Sequence, residues 1–197
     1  MIRAVAIAAG AVAVLVPVVL IGAASASPDA YRDAPPPGFS SGFGEQSCHA
    51  CHFAREPNLP PGRLELRGVP ERYSPGATYP ITVFLTNPVM AAAGFQLTAR
   101  FTDDGRQAGS LARAPSDSTR VAITISYDIA YAHQLRPGSA PAAPDTASWT
   151  VLWTAPATGR GVSFHAAANA ADGDDTVDGD VVHTTSATSS GPARHPH

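Results

Sequence analysis

The sequence predicts an all-β protein, two antiparallel sheets packed face to face behind an irregular N-terminal loop. Three observations predict it. Several segments alternate apolar and polar residues with period two, the mark of strands with one buried and one wet face. The chain carries 19 Pro and 17 Gly in 197 residues, so turns recur at short intervals. Turn-forming pairs such as Asp104-Gly105 fall between the alternating segments. About seven short strands spaced in this way indicate an antiparallel β-sandwich of immunoglobulin or fibronectin type.

Taken in order, the chain divides into four regions. Arg3, an apolar run over residues 4–22 and the small residues Ala23, Ala24, Ser25 and Ala26 have the layout of a secretory signal peptide, cleaved after Ala26. The run is nearly long enough to span a bilayer, so an uncleaved N-terminal anchor is the competing reading. Either way the remainder is exported, to the periplasm or the extracellular side of the cell envelope. No later segment is apolar enough to cross a membrane, so the mature chain is expected to have no membrane span if the signal is cleaved. Residues 27–61 form an extended arm through Pro35-Pro36-Pro37, followed by a Gly-, Ser- and Pro-rich loop. Residues 62–185 make the sandwich. Residues 186–197 are a Ser/Thr/Gly/Pro tail predicted to be disordered.

Within the sandwich the patterns can be quoted. Ile81, Val83 and Leu85 alternate with Thr82 and Phe84, and Phe95, Leu97, Ala99 and Phe101 alternate with Gln96, Thr98 and Arg100. Val121, Ile123, Ile125 and Tyr127 repeat the period, as do Trp149, Val151 and Trp153, and then Val162, Phe164, Ala166 and Ala168. Each set is expected to face the core, with Trp149 and Trp153 as its largest members. Residues 64–69 and 180–185 are expected to supply outer strands.

The chemistry is concentrated in the loop before the strands. Cys48-His49-Ala50-Cys51-His52 reads C-x-x-C-H and uses both cysteines of the chain. This spacing attaches haem c: two thiols close in sequence add to the two vinyl groups, and the histidine after the second ligates the iron. Cys48 and Cys51 would carry the thioethers and His52 would be the axial ligand. In an exported protein the same pair also reads as a disulfide, although so small a loop would add little stability. A redox C-x-x-C needs a helix after it, and residues 53–62 contain three prolines and no helical pattern. A zinc clasp would normally draw its second ligand pair from further along the chain.

Charge adds little. The 13 cations are all arginine and balance 16 Asp and Glu, which gives no basic field for nucleic acid. There is no G-x-S-x-G elbow and no Gly-rich phosphate loop, so an enzyme is not expected.

Five stretches carry a resemblance: Gly94-Phe95-Gln96-Leu97-Thr98-Ala99-Arg100, Tyr131-Ala132-His133, residues 148–156 around Trp149 and Trp153, Gly161-Val162-Ser163-Phe164, and residues 169–180. Together they resemble a Reeler-type domain, in particular bacterial exported forms of "choice-of-anchor V" type in which a C-x-x-C-H loop precedes the sandwich. The resemblance implies a β-sandwich in a cell-surface or matrix setting and does not imply one activity. It disfavours a small helical cytochrome c. Haem attached beside an elongated β domain resembles cytochrome f in layout only.

The opposite side of the iron is left open between several residues. Met90 lies in a loop before the strand at Phe95, and His133 lies on an expected loop at the position matching the Reeler histidine. The free amine of Ser27 is a third candidate and no protein ligand the fourth. His49 is too close to the attachment turn, and His165 is expected on a solvated face. Residues 169–180, dense in Asp and Gly, look like a calcium loop without the EF-hand order, and turn chemistry accounts for the same composition. The leading expectation is a single-haem c-type protein for electron transfer or haem-based sensing, with redox partner proteins of the cell envelope. The alternative is a non-redox recognition or adhesion module in which Cys48 and Cys51 form a disulfide or metal clasp.

Overall fold

The computed structural model describes residues 33–174 and 176–192, so the predicted signal peptide, Ser27 and the last five residues of the predicted tail lie outside the described residues. Nine strands follow one another: β1 (Arg63–Arg67), β2 (Thr78–Thr86), β3 (Ala92–Phe101), β4 (Ser110–Arg113), β5 (Val121–Ser126), β6 (Ile129–Gln134), β7 (Thr146–Thr154), β8 (Val162–Ala171) and β9 (Val181–Ser189). They form two antiparallel sheets, one ordered β1-β2-β7-β4 and the other β5-β6-β3-β8-β9. The β-sandwich is therefore as predicted, and the expected outer strands, β1 and β9, each stand at a sheet edge.

Between the sheets lie the alternating residues. Ile81, Val83 and Leu85 of β2 and Trp149, Val151 and Trp153 of β7 face Phe95, Leu97 and Ala99 of β3 and Val162, Phe164 and Ala166 of β8, all buried. Both tryptophans are wholly enclosed, and each indole N–H finds a carbonyl: Trp149 Nε1 donates to Gly138 O at 2.8 Å and Trp153 Nε1 to Ala108 O at 2.9 Å. Trp149 stacks on Phe95 at 4.6 Å, while Tyr73 and Phe164 meet Trp153 edge-on.

Two strands escaped the sequence reading. β4 has four residues and one buried side chain, too short for a period to show. β6 is a strand where the sequence pattern predicts a loop: Ala130 and Ala132 face the core while Tyr131 and His133 point to the other face of the sheet. The expected inward row of β5 also fails beyond Ile123: Ile125 is 73% and Tyr127 99% exposed. Tyr127 and Asp128 both have positive φ, 47° and 62°, and make the two-residue turn that sends the chain back as β6. The predicted tail begins as structure, because β9 runs on to Ser189 along β8 and Ser190 exchanges hydrogen bonds with Glu71 and Tyr73.

The expected solvated face of β3 and β8 is instead covered by the N-terminal segment. Gln96 anchors it: its Nε2 donates to Pro36 O at 2.9 Å and its Oε1 accepts from the Phe39 N–H at 2.6 Å. An antiparallel bridge between Ser40 and Ser47 closes a small loop that lowers Glu45 onto Arg100 and Tyr131. Gly42 is required there, since a Cβ would stand 2.4 Å from the His165 ring. His165 is thus half-buried beneath Gly42 and Phe43 and not on a solvated face.

Burial also governs His183, which is fully enclosed on the inner face with Nε2 3.3 Å from Asn87 Nδ2. Desolvation holds its pKa below the ordinary 6.5, and His165 is lowered in the same direction, by burial first and then by Arg100. The unfolded chain therefore binds these protons more tightly than the folded one, and stability is complete above about pH 6.5 and is lost as pH falls through the depressed folded values. The melting temperature is expected to decline between pH 7 and 5, and less steeply in His183→Gln; an equally steep decline in that variant would place the acid sensitivity elsewhere.

Candidate functional site

Ser47 starts the site. Its Oγ accepts the His49 N–H at 3.2 Å and caps a single 3₁₀ turn, Cys48–Ala50. The turn closes with Cys51 N–H and His52 N–H both donating to Cys48 O, at 3.2 and 3.0 Å. Winding of this kind brings Cys48, Cys51 and His52 to one side, and all three line one cleft. His49 is not among its walls.

The cleft lies on the outer face of the five-stranded sheet, where β3 begins and β8 ends. Pro35, Pro36 and Phe39 form one wall, Ala92 to Phe95 the floor, and Asn169, Ala171, Gly173 and Asp180 the far side. Its enclosed part is small, about 150 Å³, and the rest of the cleft opens to solvent. Gly94 allows the Gln134 amide to cross the floor, where a Cβ would meet it at 3.0 Å, and Gln134 Oε1 takes the Phe95 N–H at 2.8 Å.

Both thiols are free. Cys48 is partly exposed, and desolvation pushes its thiol up to about 12, with neighbouring Cys51 acting in the same direction. A thiol held neutral is a poor attacking nucleophile, so Cys48 in this setting is not activated as one.

His52 is held from behind. Its Nδ1 donates to Asp180 Oδ2 at 2.6 Å, leaving Nε2 without a protein partner among the described residues. Asp180 is almost wholly buried and is itself fixed, since Asn169 Nδ2 donates to Oδ2 at 2.9 Å and the Asp172 N–H to Oδ1 at 3.3 Å. The Asn169 amide nitrogen also lies 3.1 Å from His52 Nδ1. Its Oδ1 is buried without a partner among the described residues, and the residue lines the cleft.

These residues fit a covalently held haem. Two thiols and an imidazole with a free Nε2 share one wall, and the other walls are mostly apolar, as a porphyrin face requires. Met90 and His133, the two side-chain candidates for the opposite ligand, are placed elsewhere. Met90 belongs to the hydrophobic core. His133 is buried in β6, its Nε2 2.9 Å from Thr124 Oγ1 and its Nδ1 2.9 Å from Gln134 O. Ser27 is outside the described residues.

Sequence reasoning singled out residues 169–180 for their oxygens and missed that the two ends, Asn169 and Asp180, belong to His52. Nothing local signals a pairing across 128 positions. Asp172 and Asp174 serve the turn: Asp172 Oδ1 accepts the Asp174 N–H and Asp174 Oδ1 the Thr176 N–H. Among the described residues no three His, Cys, Asp or Glu side chains converge as a metal site would need.

No family model matches the chain, and no curated protein matches it. Among solved structures it is similar to the human F-spondin reeler domain, at 18% identity over 73% of this chain and 99% of that one, with a TM-score of 0.46. A cohesin module from a Clostridium perfringens family 33 glycoside hydrolase is similar at 10% identity over 66% of this chain and 96% of that one, TM-score 0.49. A non-cellulosomal cohesin from Archaeoglobus fulgidus is similar at 8% identity over 67% and 91%, TM-score 0.37. Among the described residues no helix is long and apolar enough to cross a membrane.

Proposed function

We propose that this chain is an exported single-haem c-type protein on a β-sandwich scaffold, serving one-electron transfer or haem-based sensing with redox partner proteins of the cell envelope. One observation carries the reading: Cys48, Cys51 and His52 line a single, largely apolar cleft, and His52 Nδ1 is tied to Asp180, which leaves Nε2 without a protein partner among the described residues. Cys48 and Cys51 would hold haem c through thioethers, and His52 Nε2 would ligate its iron. Bound there, the group supplies a one-electron Fe(III)/Fe(II) couple. The protein's own part is to seat it. The 3₁₀ turn sets the thiol spacing, the proline wall and Phe39 exclude water, and Asp180 with Asn169 orients the imidazole.

Export and maturation make a direct test possible. The full chain, produced in a host with a cytochrome c maturation system, is expected to retain haem through denaturing electrophoresis and to stain for it. Cys48→Ala and Cys51→Ala each remove one thioether, and the double variant is expected to lose the stain entirely. Wild-type protein that carries no haem would overturn the reading.

A second reading follows from the two free thiols on one short turn. Joined as a disulfide or closed on a metal, they would leave the apolar cleft as the ligand site of a non-redox recognition or adhesion module in the cell envelope. Unstained wild-type protein with a linked Cys48-Cys51 pair is the result it expects.

A further inference from the structure

Behind His52 stands a buried carboxylate. Asp180 has a side chain 2% exposed against 30% for His52, and their atoms meet at 2.6 Å. Three donors converge on it, from His52, Asn169 and the Asp172 backbone, so its position is set by the end of β8 and the start of β9 and not by a mobile side chain. A histidine that gives its second ring proton to a carboxylate is fixed in tautomer and becomes a more basic ligand. A negative charge so close to a ligated iron, shielded from water, also favours the more positive oxidation state.

We propose that Asp180 is a positioning residue for His52 that keeps the proton on Nδ1, presents Nε2 to iron and biases the bound iron toward its ferric form. This rests on the haem reading above. Asp180 touches neither iron nor thiol in this account and acts through the imidazole it holds and through its charge.

The test is a spectroelectrochemical titration at pH 7 of the haem-loaded full chain as wild type, Asp180→Asn and Asp180→Glu. Asp180→Asn keeps a hydrogen-bonding side chain and removes the charge. It is expected to retain covalent haem while its ferric-over-ferrous preference falls at least tenfold, a rise of about 59 mV for a one-electron couple. Asp180→Glu is expected to restore most of that preference. Haem retained with a preference changed less than threefold would overturn the inference and leave the haem reading standing, whereas an unstained wild type removes both. Should Asp180→Asn fail to accumulate, the ¹⁵N spectrum of the wild-type full chain made without haem decides at pH 8. A proton on His52 Nδ1 supports the assignment, and a proton on Nε2 overturns it.

Discussion

Glu45→Ala is expected to destabilise the protein by about 3–5 kcal/mol, because it strands a buried guanidinium. Arg100 has a side chain 9% exposed, and Glu45 is its carboxylate partner. Tyr131 Oη also donates to Glu45 and lies 2.7 Å from Arg100 Nη2, while Ser40 Oγ donates to Glu45 Oε2 at 2.6 Å. Removing the carboxylate leaves Arg100, whose Nε already lacks a partner, with one neutral oxygen in place of an anion. At about 2–4 °C per kcal/mol for a chain of this size, the melting temperature should drop by roughly 6 to 20 °C. The loss has a location as well. Hydrogen exchange should accelerate across residues 36–52 before it does in β7, since Glu45 is what clamps the N-terminal segment to the sheet. A change below 1 kcal/mol with unaltered exchange would show that Gln96 and the Ser40–Ser47 bridge hold the segment without it.

Trp149→Ala is expected to cost a similar amount, about 3–5 kcal/mol, through a different cause. The indole is fully buried and stacked on Phe95 at 4.6 Å, and its loss opens a cavity while leaving Gly138 O without its donor. Phe95 also forms part of the cleft floor. Core and site thus meet at Phe95, whose ring packs in the core, and on the haem reading above Trp149→Ala should lower haem retention after maturation as well as stability. Trp149→Phe keeps a ring against Phe95 and should recover more of the retention than of the stability, because the hydrogen bond to Gly138 remains broken. Chemical denaturation read by Trp153 fluorescence gives the first quantity and haem absorbance per protein the second.

The contrast between these two sites explains what could be read from the chain. Trp149 and Trp153 announce themselves by alternating with Ser148, Thr150 and Leu152, since a strand covered on one side writes its burial as a period of two. Gln96 and Arg100 obey the same period and look like a wet face. They are buried because residues 35–47 fold across them, a tertiary event with no local periodicity. For the same reason β6, enclosed on both faces, shows no clean alternation and reads as a loop. The C-x-x-C-H spacing was legible because its chemistry is local. Asp180 was visible only as one more acidic residue in a turn, and the meaning of that carboxylate comes from the fold.

The separation of His52 and Asp180 by 128 positions has a consequence in time. A chain emerging N-terminus first presents Cys48, Cys51 and His52 long before β8 and β9 exist to receive them. Contacts of such long range form late, after the loop-closure cost of the intervening strands has been met. The C-x-x-C-H turn therefore meets its surroundings as an accessible, unseated peptide, and completion of the last strand is the event that sets Asp180 behind His52.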